Sequence, residues 1–134
     1  MASRDLANHD YQTLAMFRHE LLRFLRFSER AAKQAGLTAQ QYQALLAIRA
    51  APEATMLVGE LAGRLLIRPH SATELIDRLE RLDLITRQPA TEDRRQVRVA
   101  LTTKTHDMLV SLAANHRLEL RRLGPLLADL MARL

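Results

Sequence analysis

Residues 69–82 read PHSATELIDRLERL, and their apolar positions recur with the period of an α-helix. At about 3.6 residues per turn, one face collects Ala72, Leu75, Ile76, Leu79 and Leu82. The opposite face carries only side chains that are charged or form hydrogen bonds. Pro69 suits the first helical position, because the amide hydrogen that proline lacks has no partner there. The pattern predicts an amphipathic helix with a polar outer face.

A shorter helix is predicted just before it, over residues 57–66, with Leu61, Ala62 and Leu65 on its inner face. About three residues then separate the two helices, which is the spacing of a helix-turn-helix. In that motif the second helix enters the major groove by its N-terminal part, where outer side chains reach base edges. The candidate DNA contacts on and just before this helix are Arg68, His70, Ser71, Thr73, Glu74 and Arg78.

The acidic side chains on this face leave more than one interpretation open. Glu74 and Asp77 can pair with Arg78 and Arg81 at i,i+4 spacing, as on any solvated surface helix. They would also repel phosphates, unless they accept a hydrogen bond from a cytosine amino group or hold an arginine in place. Periodicity alone favours the solvated helix, and the hairpin predicted after this helix shifts the balance toward DNA binding.

That β-hairpin comes directly after the second helix. Residues 84–88 are a short strand candidate, and residues 96–101 alternate polar and apolar side chains as a half-buried strand does. Between them Arg94 and Arg95 form a basic tip next to Asp93, whose carboxylate can orient a guanidinium. An arginine at such a tip suits a narrow, electronegative minor groove, so both arginines are candidate DNA contacts.

Two further helices are predicted before this region. Residues 10–34 have apolar side chains at helical spacing, and residues 38–50 begin with Thr38 as an N-cap. Gln41, placed for reciprocal hydrogen bonds, completes a capping box with Thr38. Tyr42, Leu45, Leu46 and Ile48 are expected to form the buried face of that helix.

The C-terminal part is also predicted to be helical, over about residues 103–123. Gly124 is expected to end this helix and Pro125 to open a last short one, residues 125–134. That last helix carries a wide apolar stripe and is marginal alone in water. The ends of two chains are therefore expected to interlock, placing the recognition helices about one DNA turn, or 34 Å, apart.

Composition excludes several classes of function. The chain has 134 residues, which predicts one domain, and no Cys, which excludes disulfides, thiolate metal sites and a cysteine nucleophile. The five His show no i,i+4 metal-binding pair, and a Gly-x-Ser-x-Gly elbow and a Gly-rich phosphate loop are both absent. Neither catalysis nor a cofactor or metal is expected. His116, on the apolar side of its helix, is expected to be a hydrogen-bonded packing residue.

The charge is modestly positive, with 20 Lys and Arg against 15 Asp and Glu. No segment is a basic tail, so DNA binding has to use placed arginines rather than bulk charge. Eighteen of the 20 basic residues are arginine, a bias that suits phosphate and guanine but also agrees with GC-rich codon usage. No apolar run is long enough to span a membrane and the N-terminus lacks a signal peptide, so a cytoplasmic location is expected.

The sequence resembles the MarR family of bacterial transcriptional regulators over about residues 10–134. The resemblance rests on Leu61-Ala62, on residues 69–79, on LITR at 84–87, on EDRR at 92–95 and on Leu101-Thr102. Asp83 departs from the glycine usual in the family after the recognition helix, but aspartate tolerates the left-handed conformation better than most residues. Thr105 stands at a second position where the family often has glycine.

The resemblance implies a mainly α fold with a small β-hairpin wing, in one domain of residues 1–134. Residues 37–102 would form the winged helix-turn-helix lobe, and residues 1–36 and 103–134 the dimerisation helices. The implied function is sequence-specific binding of double-stranded DNA at an inverted-repeat operator by a homodimer, with a repressor favoured over an activator. A small aromatic or anionic effector would release the DNA, and His19, Arg23 and Tyr42 are polar candidates for its pocket.

Two alternatives from other classes remain. A helical protein-interaction module would bind its partner unchanged after Arg94→Ala or Arg95→Ala. A protein that coats DNA without sequence preference would bind any duplex equally, whereas a regulator prefers its operator by about 10³ or more.

Overall fold

The computed structural model describes residues 5–89 and 95–134. Within them, five α-helices and a small antiparallel sheet follow one another as α1 (Asn8–Gln34), α2 (Ala39–Ala50), β1 (Thr55–Leu57), α3 (Val58–Leu65), α4 (Pro69–Arg81), β2 (Ile85–Pro89), β3 (Val97–Leu101) and α5 (Thr103–Ala132). A 3₁₀ turn, Pro52–Ala54, precedes β1. The predicted fold class, mainly α with a small β wing, is confirmed.

The chain divides into two compact units. The winged unit is the described part of Ala32–Leu112, and it contains α2, the sheet, α3 and α4. The helical unit holds the described residues up to Ala31 together with Ala113–Leu134. Helices α1 and α5 contribute residues to both units.

Helix α2 begins as its sequence predicts. The Thr38 hydroxyl accepts a hydrogen bond from the Gln41 amide at 3.0 Å, and the Gln41 side chain accepts one from the Thr38 amide at 3.0 Å. Of the predicted inner face, Tyr42, Leu45 and Ile48 are buried, whereas Leu46 is 40% exposed and its prediction is wrong. Burial raises the pKa of the Tyr42 phenol above its usual value.

The sheet has three strands in the order β1-β3-β2, where the sequence predicts only the hairpin β2-β3. Strand β1 pairs antiparallel with β3, Thr55 lying opposite Ala100, and β2 pairs with β3 from Ile85–Leu101 to Pro89–Val97. Three residues, Thr55–Leu57, are too few to show the two-residue alternation by which a strand is recognised.

The residues just after α4 are fixed by the start of α5. Asp83 has φ 59°, the left-handed conformation expected where the family has glycine. The Thr102 hydroxyl donates to the Asp83 carbonyl at 2.9 Å, and the fully buried Thr105 hydroxyl donates to the Leu84 carbonyl at 2.6 Å. Lys104 adds a hydrogen bond to the Leu82 carbonyl at 3.1 Å. This cluster anchors the segment that leads from α4 into the wing.

Helix α5 runs without a break through Pro125, so the prediction of two separate C-terminal helices is wrong. A proline inside a helix removes one backbone hydrogen bond and crowds the carbonyl four residues before it. Leu123 and Leu130, on either side, are 3% and 1% exposed, and their burial offsets that cost. Gly124 is not among the residues with positive φ, so it does not form the left-handed end that the sequence predicts.

His116 in the helical unit is buried and hydrogen-bonded, as predicted. Its Nε2 atom lies 2.8 Å from the Ser28 hydroxyl, and its ring packs edge-on against Phe24 and Phe27 at centroid distances of 6.1 and 5.4 Å. The hydrogen bond satisfies a polar atom inside an aromatic cluster, and leaving such an atom unpaired would be costly.

We expect Thr105→Val to lower the free energy of unfolding by about 1–2 kcal/mol, because it removes a buried hydroxyl while keeping the side-chain shape. Urea unfolding followed by circular dichroism measures this change. Thr103→Val is the matched control on the same helix, since Thr103 is exposed and should change stability by less than about 0.5 kcal/mol. Equal losses in both variants would contradict a specific role for the Thr105 hydrogen bond.

Candidate nucleic-acid interface

The turn between α3 and α4 sets the direction of α4. Leu66 ends α3 in the left-handed conformation, with φ 56°, and the Ile67 amide donates back to the Ala62 carbonyl at 3.1 Å. Arg68 is extended, with φ −69° and ψ 149°, and occupies the N-cap position of α4 without a capping hydrogen bond from its side chain, while Pro69 occupies the first turn as predicted. The two helices are therefore joined by the short connection expected of a helix-turn-helix.

Burial of one face of α4 turns its polar face outward. Ala72, Leu75, Ile76 and Leu79 are at most 6% exposed, which confirms the predicted inner face. Leu82, predicted on the same face, is 47% exposed because it lies beyond the end of the helix. A helix with one apolar stripe in a core has to present the remaining side chains to solvent.

The structure places the predicted contact residues of α4 on this outer face. Ser71 is half-buried. The other five are exposed, namely Arg68 just before the helix and His70, Thr73, Glu74 and Arg78 on it. His70 Nε2 lies 3.1 Å from the Glu74 carboxylate, and the Thr73 hydroxyl donates to the Pro69 carbonyl at 3.1 Å. Arg78 has no carboxylate partner among the described residues.

Of the two predicted wing arginines, Arg95 is exposed and stands just before β3. Arg94 and Asp93 lie outside the described residues. An open cleft of about 560 Å³, here called the wing cleft, is lined by Leu57, Val58, Gly59, Glu60, Thr73, Arg87, Arg95, Gln96 and Val97. The wing cleft brings Thr73 of α4 and Arg95 of the wing to one surface.

The same surface contains an arginine that the sequence patterns did not single out. Arg87 of β2 pairs with the Asp77 carboxylate, and its Nε atom lies 3.4 Å from the Glu80 carboxylate. Alternate residues of a strand share a face, so Arg87 lies on the same face of β2 as the buried Ile85. That apolar residue two positions earlier was the sequence signal that could have identified Arg87. Because Arg87 lies on the wing and both carboxylates lie on α4, these ion pairs join the two elements.

The pairing on α4 differs from the expected i,i+4 pairs. Glu74 pairs with His70 instead of Arg78, and Asp77 pairs with Arg87 instead of Arg81. Arg81 donates to the backbone carbonyl of Asp77 at 3.3 Å. Of the alternatives left open for Asp77, the structure shows the one in which this carboxylate holds an arginine in place.

Comparison with known proteins shows which family the chain resembles. Residues 35–96, which include α2, α3, α4 and β2, match the sequence profile of the MarR family. The predicted resemblance to MarR regulators is confirmed. No curated protein matches the chain in sequence.

Solved structures of transcriptional regulators, two of them of the MarR family, share the fold over most of the chain. AbsC from Streptomyces coelicolor has a TM-score of 0.76 at 21% identity, covering 90% of this chain and 81% of its own. Sco3205 from the same organism, solved in complex with DNA, has a TM-score of 0.74 at 20% identity and covers 90% and 76%. The transcriptional regulator PA4135 has a TM-score of 0.71 at 27% identity and covers 96% and 90%.

MarR proteins are transcriptional regulators rather than enzymes, which agrees with the expectation of no catalysis. Residues 5–89 and 95–134 contain no group of three or more His, Cys, Asp or Glu able to hold a metal ion. None of the helices that the structure describes has the length and hydrophobicity needed to cross a membrane.

A second concave surface lies within the helical unit. This arginine groove has a volume of about 600 Å³ and is lined by His19, Leu22, Arg23, Arg26, Phe27, Arg30, Glu119 and Arg122. Hydrogen bonding and the charge of Arg122 hold the pKa of the Glu119 carboxyl below its usual value. His19 and Arg23, two of the predicted effector-pocket residues, line this groove, whereas the third, Tyr42, lies in the winged unit.

Proposed function

We propose that this MarR-like chain is a sequence-specific regulator that binds double-stranded DNA as a homodimer. The observation that carries the proposal is the polar face of α4, which shares the wing cleft with Arg95. A surface of this kind offers hydrogen-bonding groups to base edges and an arginine to the adjacent minor groove. The DNA complex of Sco3205, which has the same fold, supports it.

The proposed contacts divide by element. Arg68, His70, Ser71, Thr73, Glu74 and Arg78 would face the major groove from α4, and Arg94 or Arg95 would enter the minor groove from the wing. Arg78 is the strongest candidate for reading guanine, because it is exposed and the described carboxylates of α4 pair elsewhere. A free guanidinium can donate two parallel hydrogen bonds to the acceptors of guanine.

We propose repression as the regulatory output. A dimer that occupies two half-sites covers the DNA that a polymerase would otherwise use. Transcription in vitro from a template carrying the selected operator distinguishes the outputs, because activation would raise the transcript instead of lowering it.

Selection of bound duplexes from a random pool tests the DNA-binding function. We expect an inverted repeat with half-sites about 10 base pairs apart, since a twofold dimer repeats its contacts once per helical turn. We also expect affinity at least about 10³-fold above that for random duplex at the same salt concentration. Equal affinity for all duplexes would support DNA coating, and binding to none would support the protein-interaction module.

Arg78→Ala provides the matching test by substitution. Loss of a base contact should weaken operator binding by about 1–3 kcal/mol and relax the preference at one base pair. Arg49→Ala, which removes the same charge from an exposed position on α2, is the control and should leave that preference unchanged. Fluorescence anisotropy on the selected and the singly altered duplexes measures both effects.

We infer the homodimer from apolar side chains that the helical unit leaves exposed. They lie on α1, on α5 and just beyond the end of α5, and include Leu14, Leu21, Leu22, Leu25, Leu118, Leu120, Leu126, Met131 and Leu134, each at least 38% exposed. A surface with so many large apolar side chains is typical of a protein interface. Residues 1–36 and 103–134 are the proposed dimerisation regions, and residues 37–102 the DNA-binding lobe.

The dimer predicts a mass of twice the 15.2 kDa chain by light scattering at micromolar concentration. Leu25 is 59% exposed in the single chain, and Leu25→Glu should shift the protein to monomers and weaken operator binding, because it places a charge in the proposed interface. Leu66→Glu is the control for the mass measurement, since Leu66 is 92% exposed in the turn between α3 and α4, outside the proposed dimerisation regions. A monomeric wild-type protein would rule out the homodimer.

We further propose that the arginine groove binds a small aromatic anion that lowers DNA affinity. Arg23 pairs with Glu20 at 3.5 Å, and Arg122 pairs with Glu119 at 2.5 Å. Arg26 and Arg30 have no carboxylate partner among the described residues, so their charge is available to a ligand. Phe27, which also lines the groove, supplies an aromatic surface for a ring.

Titration calorimetry with a panel of aromatic carboxylates, and with their uncharged amides as controls, tests this groove. We expect Arg26→Gln to weaken carboxylate binding about tenfold or more, because a charge-assisted hydrogen bond is lost. Arg117→Gln, an equal charge change at an exposed position outside the groove, should not. If no carboxylate binds, or none weakens operator binding, the effector role is wrong and DNA binding is unaffected.

A further inference from the structure

The ion pairs between Arg87 and α4 form a defined cluster, here called the Arg87 clamp, which consists of Arg87, Asp77 and Glu80. We propose that Arg87 is a positioning residue that fixes the wing against the recognition helix, so that both elements reach the duplex in one register. The inference rests on the proposed DNA-binding function, which it deepens by assigning a residue that aligns the two DNA-contacting elements.

The geometry suits a clamp rather than a single surface ion pair. Asp77 and Glu80 are separated by three residues and therefore project from the same side of α4. The planar guanidinium of Arg87 presents donors in different directions, so one terminal nitrogen pairs with Asp77 while Nε approaches Glu80 at 3.4 Å. Two neighbouring carboxylates repel each other unless a cation lies between them, and Arg87 supplies that cation from the wing.

The wing has little other attachment to α4 along β2. Ile85, at the start of this strand, is 1% exposed, but the four residues from Thr86 to Pro89 are all exposed. Apolar packing therefore holds only the beginning of β2. Beyond Ile85, the described ion pairs between β2 and α4 are those of Arg87.

The charge of the cluster argues against Arg87 as a phosphate ligand. Two carboxylates and one guanidinium leave a net charge of −1 at neutral pH. A phosphate approaching Arg87 would meet both carboxylates, which repel it. A clamp leaves the phosphate and base contacts to arginines such as Arg78 and Arg95 and uses Arg87 for alignment.

The clamp is exposed enough that it should matter more for binding than for stability. The side chains of Arg87, Asp77 and Glu80 are 33, 48 and 46% exposed, and ion pairs this exposed add little to the free energy of unfolding. DNA binding depends on the clamp in another way. The wing and α4 must both be correctly placed before their contacts with a rigid duplex can form together.

Asp77→Asn and Arg87→Gln test the clamp against a charge-matched control. We expect each variant to weaken operator binding about tenfold, with thermal midpoints within a few degrees of wild type. The double variant should bind no worse than Arg87→Gln alone, because Arg87→Gln already removes the ion pair that Asp77→Asn breaks. Asp107→Asn also removes one negative charge, from an exposed carboxylate without a described ion-pair partner, and should not weaken binding.

The opposite result would assign Arg87 to the phosphate backbone. In that case Asp77→Asn would tighten binding beyond Asp107→Asn, because it would release Arg87 for a phosphate. Arg87→Gln would also lower the salt dependence of log K by about 0.9, the amount for one lost phosphate contact. Under the clamp, the salt dependence of Arg87→Gln stays at the wild-type value.

Hydrogen exchange of the DNA-free protein tests the clamp independently of the proposed function. Asp77→Asn and Arg87→Gln should speed exchange of the amides of β2 and β3, while the buried core of α4 around Ile76 remains protected. Unchanged exchange in both strands would overturn the clamp even if operator binding is lost. A wild-type protein that binds no duplex would overturn the proposed function, and hydrogen exchange would still decide the clamp.

Discussion

The packing of Leu75, Ile76 and Leu79 into the core determines which side chains the winged unit can present to a duplex. These residues occupy one side of α4 and are at most 6% exposed, so α4 cannot rotate about its axis without exposing them. The polar face is consequently fixed in direction as well as in composition. The proposed recognition of base edges requires a fixed direction, because a bidentate contact tolerates little angular error.

The charges of α4 are then distributed by contacts that the helix makes with other elements. Its acidic residues would weaken a DNA-binding surface if all were left facing the phosphates. Asp77 and Glu80 share the single positive charge of Arg87 of the wing, and the Glu74 carboxylate lies beside His70 on the preceding turn. Arg78 remains without a carboxylate partner among the described residues, which leaves a basic group on a helix that carries several acids.

Local patterns predicted those features whose causes are local. The Thr38–Gln41 capping box and Pro69 in the first turn of α4 depend on neighbouring residues, and the structure has both. The left-handed conformation of Asp83 was implied by the family resemblance, and the structure has it as well. The outer face of α4 was predictable for the same reason, because helical periodicity relates residues only a few positions apart. The function of that face remains a proposal, since periodicity does not distinguish a solvated helix from a recognition helix.

The features that the sequence did not predict depend on contacts between distant residues. Strand β1 is recognisable only by its pairing with β3, more than 40 residues later in the chain. Pro125 stays within α5 because burial on both sides of it outweighs a local rule that normally ends a helix. Arg87 is separated from Asp77 by ten residues and by the turn after α4, so no helical pairing rule connects them.

The position of the wing also explains why its connection to α4 is polar. Strand β2 is at the edge of the sheet, and beyond Ile85 its side chains are exposed. An apolar contact there would leave a hydrophobic edge strand in water, which favours association with other chains. The Arg87 ion pairs avoid that problem, because a charged side chain protects the edge while the guanidinium still constrains direction through more than one donor. The same contact can therefore keep the edge strand soluble and hold it in line with the recognition helix.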